Sequence, residues 1–375
     1  MTTISDVAKL AGVSAMTVSR ALNNSGYVSR QTRSRVEAAI TELAYVPNAL
    51  GRQLRSKRTK MLALVLSDIM NPFFTTIARG VEDAAGARGF SVMFCNTDES
   101  EREEAQYLLM LVQRQVDGVL LVPASSSGKS LRLLSSHKMP VVVLDRRIQS
   151  RHVDSVRSDS EAGAYRLTEH LIGLGHRRIA VLTGRRSVST SVDRVAGYRR
   201  ALVDAGLNLD DALVRYGEYN QVDGYRMAQE ILAVDPRPTA IFAANNFIAF
   251  GVMRALRETG LRVPEDMSIV AFDDVPAAWV GDPFLTVVDQ PAYEIGRRAA
   301  ELMLSRLEGR TSGAGREVVL PSELIVRRSS GVPRAEVPEV PEVPVAAAPV
   351  DHAQTPDRRA RVAPAVPAVT TGAAR

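Results

Sequence analysis

The most constraining stretch of this chain is residues 3–24, TISDVAKLAGVSAMTVSRALNN, which fits two short helices around a tight turn. Thr3 can cap the first helix, with Asp6 three places on as its capping-box partner. Ile4, Val7, Ala8 and Ala11 then fall on one face at helical spacing. Gly12 supplies a turn residue that can take a positive φ. Ser14 can cap the second helix, and Val18, Ala21 and Leu22 anchor it inward. Ala15, Met16, Thr17, Ser19 and Arg20 are left to face outward. A helix-turn-helix built this way sends the N-terminal half of its second helix into the DNA major groove. A third helix is predicted over 29–44, capped by Ser29, with Val36, Ala39, Ile40 and Leu43 as its apolar stripe; Pro47 stops any continuation.

Charge supports a polyanion partner for this module alone. Residues 1–60 carry ten Lys and Arg against Asp6, Glu37 and Glu42, a net of +7, whereas the whole chain of 375 residues carries +5. The remainder is therefore slightly acidic, and the basic end is the part suited to nucleic acid. Within it, Asn48 can cap a segment over 49–55 that is about two turns long and interrupted by Gly51. Such a helix is marginal in isolation. Ser56 to Thr59 form a basic linker.

From Met61 the pattern changes to short apolar strands alternating with helices. MLALVLSDI, SVMFCNT, VDGVLLVP and PVVVLDR are separated by helical stretches near 73–88, 99–114 and 128–138. The cycle repeats after Asp159: a helix at 160–174, RIAVLTG, a helix at 191–205, a strand near 213–217, a helix at 222–234, TAIFAAN, a helix at 246–259, and SIVAFDD. Two such sets predict two doubly wound halves with parallel sheets. TVVDQP leads into a last helix at 292–308, expected to return to the first half. Cys95, the sole cysteine, cannot form an intrachain disulfide and reads as a buried strand residue. Residues 331–375, with Val-Pro-Glu repeats and then Ala and Pro, read as a disordered tail.

The motif T-I-x-D-V-A-x-x-A-G-V-S-x-x-T-V-S-R, continued by Val28-Ser29, Thr32, Tyr45-Val46-Pro47-Asn48 and Leu54, resembles the signature of the LacI/GalR family of bacterial regulators. The two halves resemble the periplasmic-binding-protein-like type I fold, with a ligand held between hinged lobes. The resemblance implies a headpiece over 1–47, a hinge helix and linker over 48–60, and an effector-binding and dimerisation domain over 61–330. Lobe 1 would take about 61–159 and 291–319, lobe 2 about 160–290 and 320–330. It implies a homodimer on a palindromic double-stranded DNA operator, repression of carbohydrate-related genes, and control by a small-molecule effector, a sugar or sugar derivative. Some family members add a leucine heptad to the tail to form tetramers; this tail has no leucine.

On that reading Ala15, Met16 and Arg20 meet bases. Arg20 can donate twice to a guanine, whereas Ala15 and Met16 offer only apolar contact. Ser14, Thr17, Ser19, Asn23 and Tyr27 meet phosphates. Thr3 and Asn48 complete the expected DNA contacts, and Leu54 wedges into the central base step from the minor groove. The resemblance also places Asn71, Phe73 and Phe74 (the NPFF segment), Asp145, Arg146, Arg194, Asn245, Asp273 and Gln290 around the effector. For each of these the alternative is a helix cap or a buried ion pair, and for Phe74 simply core. Donors and acceptors at strand ends beside a flat ring suit vicinal hydroxyls and an apolar sugar face. One departure stands out: the family usually has Asn-Asp at 245–246, and this chain has Asn245-Asn246, which leaves the effector's identity open.

No GxxxxGK[ST], HExxH, CxxC or GxSxG is present, and the five histidines are scattered without metal-ligand spacing. No catalytic residue, cofactor or metal is expected. Neither an apolar leader nor a run of about 18 apolar residues occurs, so a membrane role is not expected and a cytoplasmic location is. These features also disfavour the two rival readings, a periplasmic sugar-binding protein and a sugar-modifying enzyme.

Overall fold

A computed structural model describes residues 2–23, 25–46, 58–148, 150, 152–276, 281–310 and 313–334. The headpiece has three helices, α1 (Ile4–Ala11), α2 (Ala15–Asn23) and α3 (Arg30–Glu42). The capping box forms as its residues dictate: the Asp6 N–H donates to Thr3 Oγ1 (3.3 Å), and the Thr3 N–H donates to Asp6 Oδ2 (2.8 Å). Gly12 ends α1 in the left-handed region, at φ 63°. Ser14 accepts from the Thr17 N–H and Ser29 from the Thr32 N–H, both at 3.2 Å. Val7, Ala8, Ala11, Val18, Ala21, Val36 and Ala39 are buried between the helices.

The body is two sheets of six strands with one winding order. In lobe 1 the order is β11-β5-β4-β3-β1-β2, from β1 (Met61–Leu66), β2 (Ser91–Asn96), β3 (Gly118–Leu121), β4 (Val141–Leu144), β5 (Asp154–Ser158) and β11 (Glu317–Leu320). In lobe 2 it is β12-β10-β9-β8-β6-β7, from β6 (Ile179–Thr183), β7 (Val214–Tyr216), β8 (Ala240–Ala243), β9 (Ser268–Phe272), β10 (Thr286–Asp289) and β12 (Glu323–Ile325). All pairings are parallel except β10 with β12. The buried central strands are continuous apolar runs, as a sheet covered on both faces requires. Cys95 is buried in β2, and that burial pushes its thiol up.

Helices α4 (Pro72–Gly86), α5 (Glu101–Gln113) and α6 (Lys129–Ser136) follow the first three strands. Lobe 2 carries α7 (Ser160–Gly173), α8 (Ser189–Asp204), α9 (Gln221–Leu232) and α10 (Asn246–Glu258). The last helix, α11 (Ala292–Leu307), buries Ile295, Ala299, Ala300 and Met303 in the lobe 1 core. It lies so close to α4 that a side chain at Gly80 would strike the Tyr293 carbonyl, and one at Gly296 the Ile77 carbonyl. The chain crosses between lobes after β5, after β10 and after β11.

Three strands escape the sequence reading: β5 (DSVRS), β11 (EVVL) and β12 (ELI). The folded part also runs past the expected boundary at 331. Gly331 N–H donates to Ser268 Oγ (3.0 Å), its carbonyl lies 2.9 Å from His176 Nε2, and Arg334 pairs with Asp266 (3.1 Å). Residues 335–375, and the 49–55 segment with Asn48 and Leu54, lie outside the described residues.

Candidate functional site

The two lobes build one cleft by one device used twice. Asp145 follows β4 and Asp273 follows β9, equivalent positions in the two sheets. Both take positive φ, 62° and 68°, and both donate their N–H across to the next strand, to Val156 O (2.9 Å) and Val288 O (3.0 Å). A non-glycine residue in the left-handed region is uncommon and marks a constrained position. Both carboxyls therefore face the gap between lobes.

Asn71 and Asn245 repeat this logic as helix caps. Asn71 Oδ1 accepts from the Phe73 N–H (3.1 Å) at the start of α4, and Asn245 Oδ1 from the Ile248 N–H (2.8 Å) at the start of α10. Asn71 also joins the lobes. Its amide donates to Asn246 Oδ1 (3.0 Å), and the Asn246 amide donates back to Asn71 Oδ1 (3.2 Å). The departure at residue 246 thus has a structural partner: two neutral amides satisfy each other, where a carboxylate could accept but not donate back.

Phe73 and Phe74 meet edge to face, with centroids 5.1 Å apart, and both line the cleft while belonging to the lobe 1 core. Arg194 enters from α8. It donates to the Ala244 carbonyl and lies 4.0 Å from the centre of the Phe272 ring. Arg146 is drawn aside into lobe 1, where it pairs with Glu99 and donates to the Pro123 carbonyl (2.8 Å). Gln290 does not line the cleft. Coming just after β10, the in-sheet neighbour of β9, it donates to the Asp273 carboxylate at 2.5 Å and lines an adjoining pocket with Phe73 and Asp273. Sequence reasoning missed Asp68, Glu99, Thr190 and Tyr219, which complete the lining. Asp68, Glu99 and Tyr219 come just beyond β1, β2 and β7, at the carboxyl ends where such sheets bind ligands, and that rule could have found them.

The electrostatics are those of a desolvated polar site. Burial pushes the Asp273 carboxyl up to about 6, against the lowering effects of Arg194 and Gln290. Burial also raises Asp145, against Arg146 and Arg194, and Asp68, against the Met70 N–H. Asp145 Oδ1, Arg146 Nε, Arg194 Nε and Gln290 Oε1 are buried with no hydrogen-bond partner. Such orphans are rare in folded proteins because each costs roughly 1–3 kcal/mol. The space between Asp145, Arg146 and Arg194 is about 30 Å3, room for a water or two but not for a monosaccharide. The lobes are held together around it by Arg147 with Asp193 and by Arg185, which donates to the Glu99 carbonyl (2.6 Å).

In the headpiece, Met16 and Tyr27 stand 55% and 91% exposed, and Arg20 is exposed beside them. Thr3, Ser14 and Asn23 are exposed, and Thr17 and Ser19 half-buried. Ala15 departs from its expected outward position. As the first residue of α2 it follows the turn directly, and its methyl packs against the headpiece core. Among the described residues no group of His, Cys, Asp or Glu is placed to hold a metal, and no helix is long and apolar enough to cross a membrane.

A three-helix DNA-reading headpiece on a two-lobed, doubly wound ligand-binding body defines a class of ligand-responsive regulators. The comparisons with known proteins agree. Residues 3–48 match "Bacterial regulatory proteins, lacI family", and residues 59–326 match "Periplasmic binding proteins and sugar binding domain of LacI family". The chain belongs to the LacI family and is a DNA-binding transcription regulator. It is 37% identical over 336 residues to the HTH-type transcriptional regulator DegA of Bacillus subtilis (strain 168), covering 88% of this chain and 98% of that one. To the transcriptional repressor PurR of Pasteurella multocida (strain Pm70) it is 36% identical over 330 residues, covering 88% and 98%. Among solved structures, a complex of the transcriptional regulator CelR with cellobiose matches with TM-score 0.68 and 36% identity, covering 88% of this chain and 100% of that one. The lac repressor dimer bound to operator and the anti-inducer ONPF matches with TM-score 0.78 and 29% identity, covering 88% and 99%.

Proposed function

We propose that this protein represses transcription as a homodimer on a two-fold symmetric operator and is controlled by a neutral, polyhydroxyl small molecule, a sugar or sugar derivative, bound between its lobes. The observation that carries the ligand reading is the set of orphaned polar atoms on Asp145, Arg146 and Arg194 around a gap too small to hold a ligand. Hydroxyl groups are both donors and acceptors and so can serve carboxylates and guanidinium at once. Phe73, Phe74 and Tyr219 offer faces for the apolar side of a sugar ring. Asn71, Asn245 and Asp273 would add contacts, with Gln290 positioning Asp273. The ligand has to part Asn71 from Asn246, so it favours a more open arrangement of the lobes. It thereby couples to DNA affinity through differential binding to two states.

For the DNA, Arg20 and Met16 are the base readers. Thr3, Ser14, Thr17, Ser19, Asn23 and Tyr27 contact the backbone, Asn48 and Leu54 act at the minor groove, and Ala15 contributes through its exposed part. A second copy has apolar surface to cover on lobe 1, where Ile69, Met70 and Phe94 are exposed and Ile69 donates to Asn96 at the end of the edge strand β2 (2.9 Å). The test is binding-site selection with the full chain, followed by thermal unfolding across a panel of mono- and disaccharides. A two-fold symmetric site and at least one sugar that raises the unfolding temperature are expected. An asymmetric single half-site would refute the dimer, and a panel without any shift would refute the sugar reading.

A further inference from the structure

Beside the cleft lies a larger cavity, about 620 Å3, that shares none of its lining residues with the cleft. Its floor is one face of the lobe 1 sheet. The register aligns Val143, Ser155 and Glu317 across β4, β5 and β11, and Arg157 follows two residues along β5 on the same face. Its opposite wall belongs to lobe 2, residues 186–189 leading into α8. The lobes are pinned together there. The Ser126 N–H donates to Ser187 O (2.9 Å), the Ser189 N–H to Ser126 Oγ (3.0 Å), and the Arg147 N–H to Ser189 Oγ (2.7 Å).

Three arginines, Arg147, Arg157 and Arg186, line this space, Arg147 and Arg186 with exposed side chains. Asp193 takes one edge of Arg147, through Nε and Nη2, and Glu317 takes Nε of Arg157 at 2.7 Å. Each is thereby fixed in orientation. Arg186 has no carboxylate within ion-pair distance among the described residues; it is stacked 3.9 Å over the Tyr216 ring, which leaves its N–H edge for an acceptor in its own plane. Serine hydroxyls and the aliphatic Val143 and Val188 complete a surface with excess positive charge, many donors and room for a carbon skeleton. The volume falls within the range of small-molecule sites.

We propose that this cavity is a second ligand site, selective for a phosphorylated small molecule, with Arg186 and Arg157 gripping the phosphate. Guanidinium groups match phosphate oxygens in geometry as well as charge. Both lobes supply the walls, so a bound phosphomonoester is linked to lobe closure and, by reciprocity, to whatever else changes that closure. The residues that build the site line no part of the cleft.

Isothermal titration of the full chain with ribose 5-phosphate tests this. One molecule should bind per chain. Arg186→Ala and Arg157→Ala should each weaken binding about tenfold or more, as loss of one charge-assisted contact implies, and Arg186→Glu should abolish it. Arg194→Ala, in the cleft, should leave it within about threefold. Thermal unfolding of each variant separates lost binding from lost folding; if Arg157→Ala fails to fold, the two Arg186 variants decide. Three results would overturn the proposal: no saturable binding to the wild type up to roughly 10 mM; binding lost in Arg194→Ala but kept in the Arg186 variants, which would put the phosphate in the cleft; or full displacement by DNA with no effect of the Arg186 variants, which would put it on the basic headpiece.

Discussion

The headpiece and the cleft are both recognition surfaces, and they are built in opposite ways. The helix caps of the headpiece are local and lie at or near the surface: Thr3 with Asp6, Ser14 with Thr17 and Ser29 with Thr32 each join residues three apart. The cleft is tied together by contacts between residues far apart in sequence, such as Arg194 with Ala244, 50 apart, and Asn71 with Asn246, 175 apart, and Asp145, Arg146, Arg194 and Asp273 are buried. A headpiece of this kind presents donors that remain in water until a phosphate or base replaces the water. The cleft holds donors and acceptors that have lost water and not all found partners. Binding at the first is therefore dominated by charge and shape, and binding at the second by relief of unmet hydrogen bonds.

The largest separation between the two regions is expected from Arg194→Ala. It should abolish the response to the effector and, through loss of a charged hydrogen bond, lower stability by roughly 1.5–3 kcal/mol, while operator affinity without effector stays nearly intact. Operator titrations with and without ligand check this, and a variant that still responded at wild-type ligand concentrations would remove Arg194 from the site. Next comes Arg20→Ala, expected to weaken operator binding by about 1–3 kcal/mol and to relax preference at one base pair per half-site. Its effector affinity should not move. An unchanged selected motif would mean that Arg20 reads no base.

A smaller effect is expected from Thr3→Ala, which removes a helix cap. The cost is about 0.5–2 kcal/mol of headpiece stability. Hydrogen exchange of residues 4–11 would show it, and unaltered protection there would contradict the capping role. The smallest is a difference in pH response. Asp273 titrates near 6 when folded and near 4 when unfolded. Between those values the folded chain keeps a proton that the unfolded chain has lost, so this group's contribution to stability declines as pH rises from about 4 to about 6 and is level above. Effector affinity should fall a few-fold as pH drops through about 6, where the carboxylate acceptor is neutralised. Asp6, held below the usual carboxylate range by hydrogen bonds from the Thr3 side chain and backbone, stays ionised across that window, so its support for the headpiece is lost only at lower pH. Effector affinity that is flat between pH 5 and 7 would argue against Asp273 as an acceptor.

The same contrast governs what could be read from sequence. Caps, the Gly12 turn and the apolar stripes of α1 to α3 are set by neighbours, so the headpiece was legible almost residue by residue. The strands that are continuous apolar runs were legible too, since only a sheet covered on both faces buries MLALVL or SIVAF. β5 was not, because DSVRS has one apolar residue, Val156, buried in company with the polar Asp154 and Ser158, and becomes a strand through its partners β4 and β11. The cleft was legible through family resemblance rather than spacing. Glu99 and Tyr219 are marked only by their place just beyond β2 and β7, and the drawing aside of Arg146 depends on Glu99 being opposite it. Gln290 was expected on the cleft wall, but it follows β10, the in-sheet neighbour of β9, and so meets the Asp273 carboxylate instead. Nor could periodicity show that Gly331 and Arg334 are tied to Ser268 and Asp266.

The central claim is that occupancy of the buried cleft sets the affinity of the exposed headpiece. Fluorescence anisotropy of the selected operator, titrated with wild type and Arg194→Ala in the presence and absence of the sugar identified by thermal shift, tests it directly. Wild-type operator affinity should change at least about fivefold with sugar, and the variant should give one ligand-independent curve. Superimposable wild-type curves, or an equal sugar effect on both proteins, would contradict it.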